Sequence, residues 1–243
     1  RSSDLGASMM SFVSLLGQQE NPALLTLVGT AGAVIGGGTA WGLSRFGLRL
    51  EPAQAAWYTT ATGWGTLAGL AGYAGSGLES NKARYGLLLA GETAGIAAGL
   101  WSATRYDWSA GQIVYANSLL LGEALTLGGV RRLQGKPFEI TRTAAIGAVP
   151  AMVAAAAGAR LVDPSSRDLQ LIGVAATSGA WNGWLLSSGL HEEAQALGPR
   201  SVGGLMLGLG AGYLGASATA AFLEVEPERI WASAALMGMG NLI

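Results

Sequence analysis

The sequence predicts an all-α integral membrane fold of about eight helices, built as four tandem helical hairpins of about 56 residues each. Three observations predict it. Residues 21–44, 52–78, 169–190 and 201–223 contain no Asp, Glu, Lys, Arg or His. A helix needs roughly 20 mostly apolar residues to cross a bilayer's hydrocarbon core, and a soluble helix of that length normally turns a charged face to water. The composition agrees: the 243 residues are 50% hydrophobic and 12% charged, against roughly 25% charged in soluble domains. Helix-start signals also recur at a fixed spacing. Glu51 to Asp107 is 107 − 51 = 56 residues, and Asp107 to Asp163 is 163 − 107 = 56.

The N-terminal segment, residues 1–20, reads as an amphipathic helix and turn. Ser3-Asp4 can cap it, Leu5, Met9, Phe12, Val13 and Leu16 share one broad face, and Gly17 to Pro22 break it. Residues 21–243 read as a single repeat-built transmembrane domain, with helices expected at 22–46, 52–77, 83–103, 108–133, 140–160, 165–189, 199–223 and 227–243. Glu51-Pro52, Asp163-Pro164 and Glu226-Pro227 each place an acid before a proline, a helix-start signal. Asp107-Trp108 takes the same place without the proline. Asp163 to Glu226 is 226 − 163 = 63, and the loop at 191–198 can hold the extra residues. In each unit a Gly/Ala-rich helix is expected first and an acid-led helix second. Two-helix units return the chain to the side it came from, so all four point the same way. The last chargeless stretch, 230–243, is 14 residues long and the chain opens on Arg1; both leave open a longer chain.

Glycine is the dominant local signal, at 39 residues against 7 prolines. Gly32-xxx-Gly36, Gly91-xxx-Gly95-xxx-Gly99 and Gly208-xxx-Gly212 match the small-xxx-small spacing of closely crossing helices, a glycine zipper. They fit an oligomer seam or packing within one chain. Gly210-Ala211-Gly212-Tyr213-Leu214-Gly215 matches G-x-G-x-x-G, but a dinucleotide site needs a strand before the glycines and an acid about 20 residues on. These glycines fall inside a chargeless helix instead. Mean hydropathy is only +0.38, because Gly, Ala, Ser and Thr dilute the large apolar residues.

Glu92 and Glu123 are acids inside expected spans, and an intramembrane carboxylate marks a function or a buried partner by default. From the turn at 104–107, Glu92 lies 12 residues before and Glu123 16 after, which puts them at similar depth at about 1.5 Å per residue. A shared proton or cation is one reading; a watery lumen or a small polar neighbour is the other. Asn117 and Asn182, with Thr59, Thr62, Ser118, Thr177 and Ser187, give the acid-led helices a wetter face, suited to interhelical bonds or a polar lumen. Trp57, Trp101, Trp108, Trp184 and Trp231 fit an aromatic belt, while Trp64 and Trp181 lie deeper.

Other chemistry finds no support. The chain has no cysteine and one histidine, His191, in a polar stretch without an HExxH or a nucleophile beside it. We therefore expect no enzyme activity, metal or cofactor. Net charge is −1 without a basic patch, so nucleic acid is not an expected partner. With the N-terminus on one side, eight Lys/Arg fall on that side and six on the other. Inner-membrane proteins show a clearer bias, so an outer membrane is kept open beside an inner one.

The clusters Thr62-Gly63-Trp64-Gly65 and Ser178-Gly179-Ala180-Trp181-Asn182-Gly183 resemble those of Gly-rich tandem-hairpin membrane proteins of predatory and related bacteria. The resemblance implies a bacterial membrane protein and no functional residues. The expected function is a non-enzymatic protein that self-assembles through Gly/Ala seams into an oligomeric ring or scaffold enclosing lipid or a pore. The alternative is a channel or secondary transporter for a small solute or ion using Glu92 and Glu123.

Overall fold

The computed structural model describes residues 50–136, 142–191 and 198–220, with positions 222, 226, 228 and 232. The helices expected at 1–20, 22–46 and 227–243, and with them Gly32 and Gly36, lie outside the described residues. Within the described residues the chain is all-helical. Six helices are present: α1 (Pro52–Ser76), α2 (Asn81–Arg105), α3 (Ala110–Leu133), α4 (Arg142–Val162), α5 (Ser166–His191) and α6 (Pro199–Ala220).

The helix ends follow from local chemistry. Pro52 opens α1, and the Gln54 side-chain Oε1 accepts from the Glu51 N–H at 2.9 Å, closing one of the donors a helix start leaves unpaired. Gly77 ends α1 at φ 70°, a left-handed turn that glycine adopts without a Cβ clash. Ser80 caps α2, its hydroxyl accepting from the Ala83 N–H at 3.1 Å. Gly135, at φ 72°, follows α3.

Asp163 departs from the sequence reading, which made it the N-cap of the next helix. It sits at φ 45°, and its N–H donates to the Ala159 carbonyl at 3.2 Å, so it closes α4. The cap of α5 is Ser165: its hydroxyl accepts from the Asp168 N–H, and Asp168 Oδ2 accepts from the Ser165 N–H at 2.7 Å. The reason is that Asp tolerates the left-handed region better than most residues, so a loop of three residues completes the turn. Pro150 lies inside α4, where it removes one backbone bond but does not stop the helix.

The chain divides into two compact units, Arg1–Ala110 with Ile140–Pro150 and Gly111–Glu139 with Ala151–Ile243. In the first, α1 packs closely along α2. Trp57, Trp64 and Trp108 are buried there: Trp57 stacks on Trp108 and meets the edge of Trp64, and its Nε1 donates to Ser102 Oγ at 2.7 Å. In the second, α5 packs closely along α6. α3 joins α6 through the Tyr115 hydroxyl, which donates to the Ser217 carbonyl at 2.7 Å, and Gln112 Nε2 donates to Asp163 Oδ1 at 3.1 Å. The close pairs are thus consecutive helices, α1 with α2 and α5 with α6. The sequence reading had placed the breaks at 78–82 and 191–198 between hairpins; in α1–α2 and α5–α6 the acid-led helix comes first.

One described helix, Ala110–Leu133, is long and apolar enough by hydropathy to cross a membrane. The chargeless α1 is not counted with it: its Gly, Thr, Trp and Tyr residues carry no charge but score low in hydropathy.

Candidate functional site: glycine seams between helices

A glycine inside a helix costs about 1 kcal/mol relative to alanine, so a row of them needs a compensating contact. In the α1–α2 seam, a Cβ on Gly65 would collide with the Gly91 carbonyl, one on Gly91 would stand 2.7 Å from the Gly69 Cα, and one on Gly95 would stand 2.9 Å from the Gly65 Cα. A Cβ on Gly69 would collide with the Leu87 carbonyl, and one on Gly99 would lie 2.8 Å from the Ala61 Cβ. The backbones therefore touch along about three turns. Dispersion between main-chain atoms replaces side-chain packing there.

The α5–α6 seam repeats this register. Gly179 faces the Gly208 carbonyl, Gly183 faces the Gly204 carbonyl, and Gly212 faces Ala175. Ala61–Gly95, Gly65–Gly91 and Gly69–Leu87 in the first pair correspond to Ala175–Gly212, Gly179–Gly208 and Gly183–Gly204 in the second. The shift is 179 − 65 = 114 on the acid-led helix and 208 − 91 = 117 on its partner, constant along all three contacts.

The other side of α6 is also lined by small residues. Gly122, Thr126 and Gly129 of α3 meet Gly210, Leu207 and Gly203 of α6, running antiparallel, with Gly203 also against Arg132. The G-x-G-x-x-G stretch is thus divided within one helix: Gly210 faces α3, Gly212 faces α5, and Gly215 is open. This is helical packing, without the strand and turn a phosphate cradle requires.

The structure places the remaining candidates as follows. Gly91, Gly95, Gly99, Gly208 and Gly212 are all occupied by contacts within the chain. Glu92 is buried on α2, 9% exposed, with no hydrogen-bond partner among the described residues. Glu123 is half-buried on α3. The two acids belong to different units. Asn117 is half-buried, and Asn182 is exposed with its Nδ2 donating to the Ser178 carbonyl at 2.8 Å.

The hydroxyls expected to bond across helices mostly bond backward along their own. Thr59 donates to the Ala55 carbonyl, Thr62 to Tyr58, Ser118 to Val114 and Thr177 to Gly173, each at 2.9 Å. Each polar group is thereby satisfied without a lumen or a partner helix. Ser187 is the exception, reaching the Ser201 carbonyl at 3.4 Å across the α5–α6 seam.

Among the described residues the interior holds small side chains and a few large ones: Ala103, Ala116, Ser201 and Ser217 are fully enclosed, and Trp57, Trp64, Trp108, Ile113, Tyr115 and Ile172 are buried. Many other large apolar side chains point outward: Trp101 is 61% exposed, Val153 64% and Leu186 65%, with Leu89, Val114, Leu127 and Trp181 also exposed. Sequence reasoning identified the glycines but not this sorting, which depends on which face each helix turns inward.

Comparison with protein-family models, curated proteins and solved structures finds no match to this chain.

Proposed function

We propose that this chain is a non-enzymatic integral membrane protein of about eight spans in tandem hairpins, whose copies assemble into an oligomeric ring or scaffold that encloses lipid or a pore. The observation that carries this reading is the sorting of aliphatic side chains among the described residues: Gly, Ala and Ser inside with a few aromatics such as Trp57, Trp64 and Trp108, and Leu and Val outward or half-buried. In water this arrangement wastes the main folding force, since apolar area buried is worth roughly 25 cal/mol per Å². In a bilayer large apolar side chains gain nothing by turning inward, and close backbone contact becomes the stabilising term.

The glycines already engaged within the chain leave other helix faces for contact between copies. Lipid is the expected partner in the membrane, and kinship with Gly-rich tandem-hairpin proteins of predatory bacteria belongs to the same proposal, as does the bacterial inner or outer membrane as its place. Native mass measured in detergent and nanodiscs tests it. The reading expects a discrete oligomer retaining many lipids; a monomer without retained lipid overturns it.

The channel or transporter reading is favoured by one observation, the buried Glu92 carboxylate on α2. Under it, replacing Glu92 and Glu123 together with Gln abolishes solute or ion flux in liposomes. Under the scaffold reading the double variant assembles as before.

A further inference from the structure

Along the sequence the cations stand scattered, but the fold gathers four of them at one end of α3 and α6. Contacts between these helices step from Gly122–Leu214 through Thr126–Gly210 and Gly129–Leu207 to Arg132–Gly203. The last contact is tight: a Cβ on Gly203 would stand 2.7 Å from the Arg132 Cβ and 2.8 Å from the Leu133 nitrogen. Arg200 lies in the first turn of α6, 203 − 200 = 3 residues before that glycine. Beyond α3 the chain turns at Gly135, whose N–H donates to the Arg132 carbonyl at 2.9 Å, while the Lys136 N–H donates to the Arg131 carbonyl at 3.0 Å. Lys136 is thereby held at the end of α3. Arg200 and Lys136 are exposed, and Arg131 and Arg132 are half-buried.

Helix dipoles explain only part of this cluster. The carbonyl end of α3 attracts Arg131 and Arg132, but Arg200 stands at the N-terminal end of α6, where the dipole favours an anion. Along α3 and α6 the nearest described acid is Glu123, 131 − 123 = 8 residues from Arg131, about 12 Å at 1.5 Å per residue. Glu139, Glu192 and Glu193 belong to adjoining stretches outside the described residues. At the opposite end of the same unit, Arg160 and Arg167 alternate with Asp163 and Asp168 around the α4–α5 loop. Below the cations the surface turns apolar: Leu127, on the face of Arg131 one turn back, is exposed, as is Val130.

We infer that Arg131, Arg132, Lys136 and Arg200 bind the headgroup of an anionic phospholipid, whose acyl chains lie along Leu127 and Val130. The inference rests on the membrane reading above and deepens it by naming the class of lipid the chain retains. A phosphodiester accepts charge-assisted bonds from guanidinium and ammonium groups, and the N-terminal end of α6 favours the same anion. Basic groups gathered where helices leave the bilayer recognise anionic headgroups in this way. A soluble phosphate ion would use the cations alone; the apolar strip beneath them is what an acyl chain adds.

The test reconstitutes the full chain in equimolar phosphatidylglycerol and phosphatidylcholine, extracts it in mild detergent and counts the retained lipids of each kind by native mass. Phosphatidylglycerol should be retained in preference. Arg132→Gln/Lys136→Gln/Arg200→Gln should lose that preference, roughly fivefold for each cation removed, while Arg160→Gln/Arg167→Gln at the opposite end keeps it. Lys136→Gln alone, at an exposed position, gives a fivefold reading should the triple variant fail to fold. Equal retention of the two lipids by the unsubstituted chain, the outcome if Glu192 and Glu193 neutralise the cluster, overturns the inference. So does a preference that survives the triple variant, a control that loses as much, or retention of inorganic phosphate in place of lipid. Membrane flotation of the same samples separates the causes. Protein that floats without lipid preference defeats this site alone, and protein that does not float defeats the membrane reading with it.

Discussion

Gly65, Gly91 and Gly95 matter here for the atom they lack. Each faces main chain of the opposite helix where any Cβ would overlap carbonyl or Cα atoms, and backbone cannot give way as a flexible side chain can. Gly91→Leu should therefore destabilise the chain by about 3 kcal/mol, the upper part of the overpacking range. Gly72 faces open space, so Gly72→Ala should stabilise by up to about 1 kcal/mol through helix propensity. Loss of helicity on heating in detergent measures both, and equal effects at the two positions would contradict the seam. The spacing of Gly91, Gly95 and Gly99 was legible in the sequence, since only close packing explains glycine every fourth residue in a helix. Their partners were not: Ala61, Gly65 and Gly69 are chosen by helix rotation, which no spacing on α2 reveals.

At the scale of elements, helix extents were largely legible. The expected 52–77 is Pro52–Ser76 and the expected 165–189 is Ser166–His191, because chargeless runs bounded by Gly, Pro and acids admit few other readings. The junction at Asp163 was not legible, since an acid before proline reads equally as the start of one helix or the end of another. Its φ of 45° decides. The left-handed conformation costs a Cβ-bearing residue roughly 1–2 kcal/mol, so Asp163→Gly should leave the chain more stable than Asp163→Ala by about 1 kcal/mol, both having lost the Gln112 bond. Unfolding of the two variants in parallel measures this; the reverse order would return Asp163 to the role of N-cap. Tyr115→Phe removes the buried bond from α3 to the Ser217 carbonyl and should cost about 1 kcal/mol in the same assay, whereas an unchanged midpoint would mean that α3 does not depend on it. The pairing of α5 with α6 follows from matched small residues on both helices, a property of the pair rather than of either sequence.

For the whole molecule, composition motivates the proposed membrane environment and the structure supplies the sorting. A chain with 12% charge and 39 glycines could have buried its Leu and Val around a water-soluble core. Among the described residues it buries Ile172, Ile113 and the Trp57, Trp64 and Trp108 cluster but turns Leu89, Val153 and Leu186 outward. Under the proposed membrane reading that choice is coherent, because the surroundings are as apolar as the side chains. The most direct measurement places single cysteines at Leu89, Val153 and Leu186, with Ser80 and Gln134 as loop controls, and follows labelling by a membrane-impermeant maleimide in native membranes. Helix positions that stay unlabelled while loop positions react, and that become reactive only when the protein is unfolded in SDS, are the predicted result. Labelling of Leu89, Val153 and Leu186 at the rate of the loops, in protein that stays in the aqueous fraction, would contradict the account.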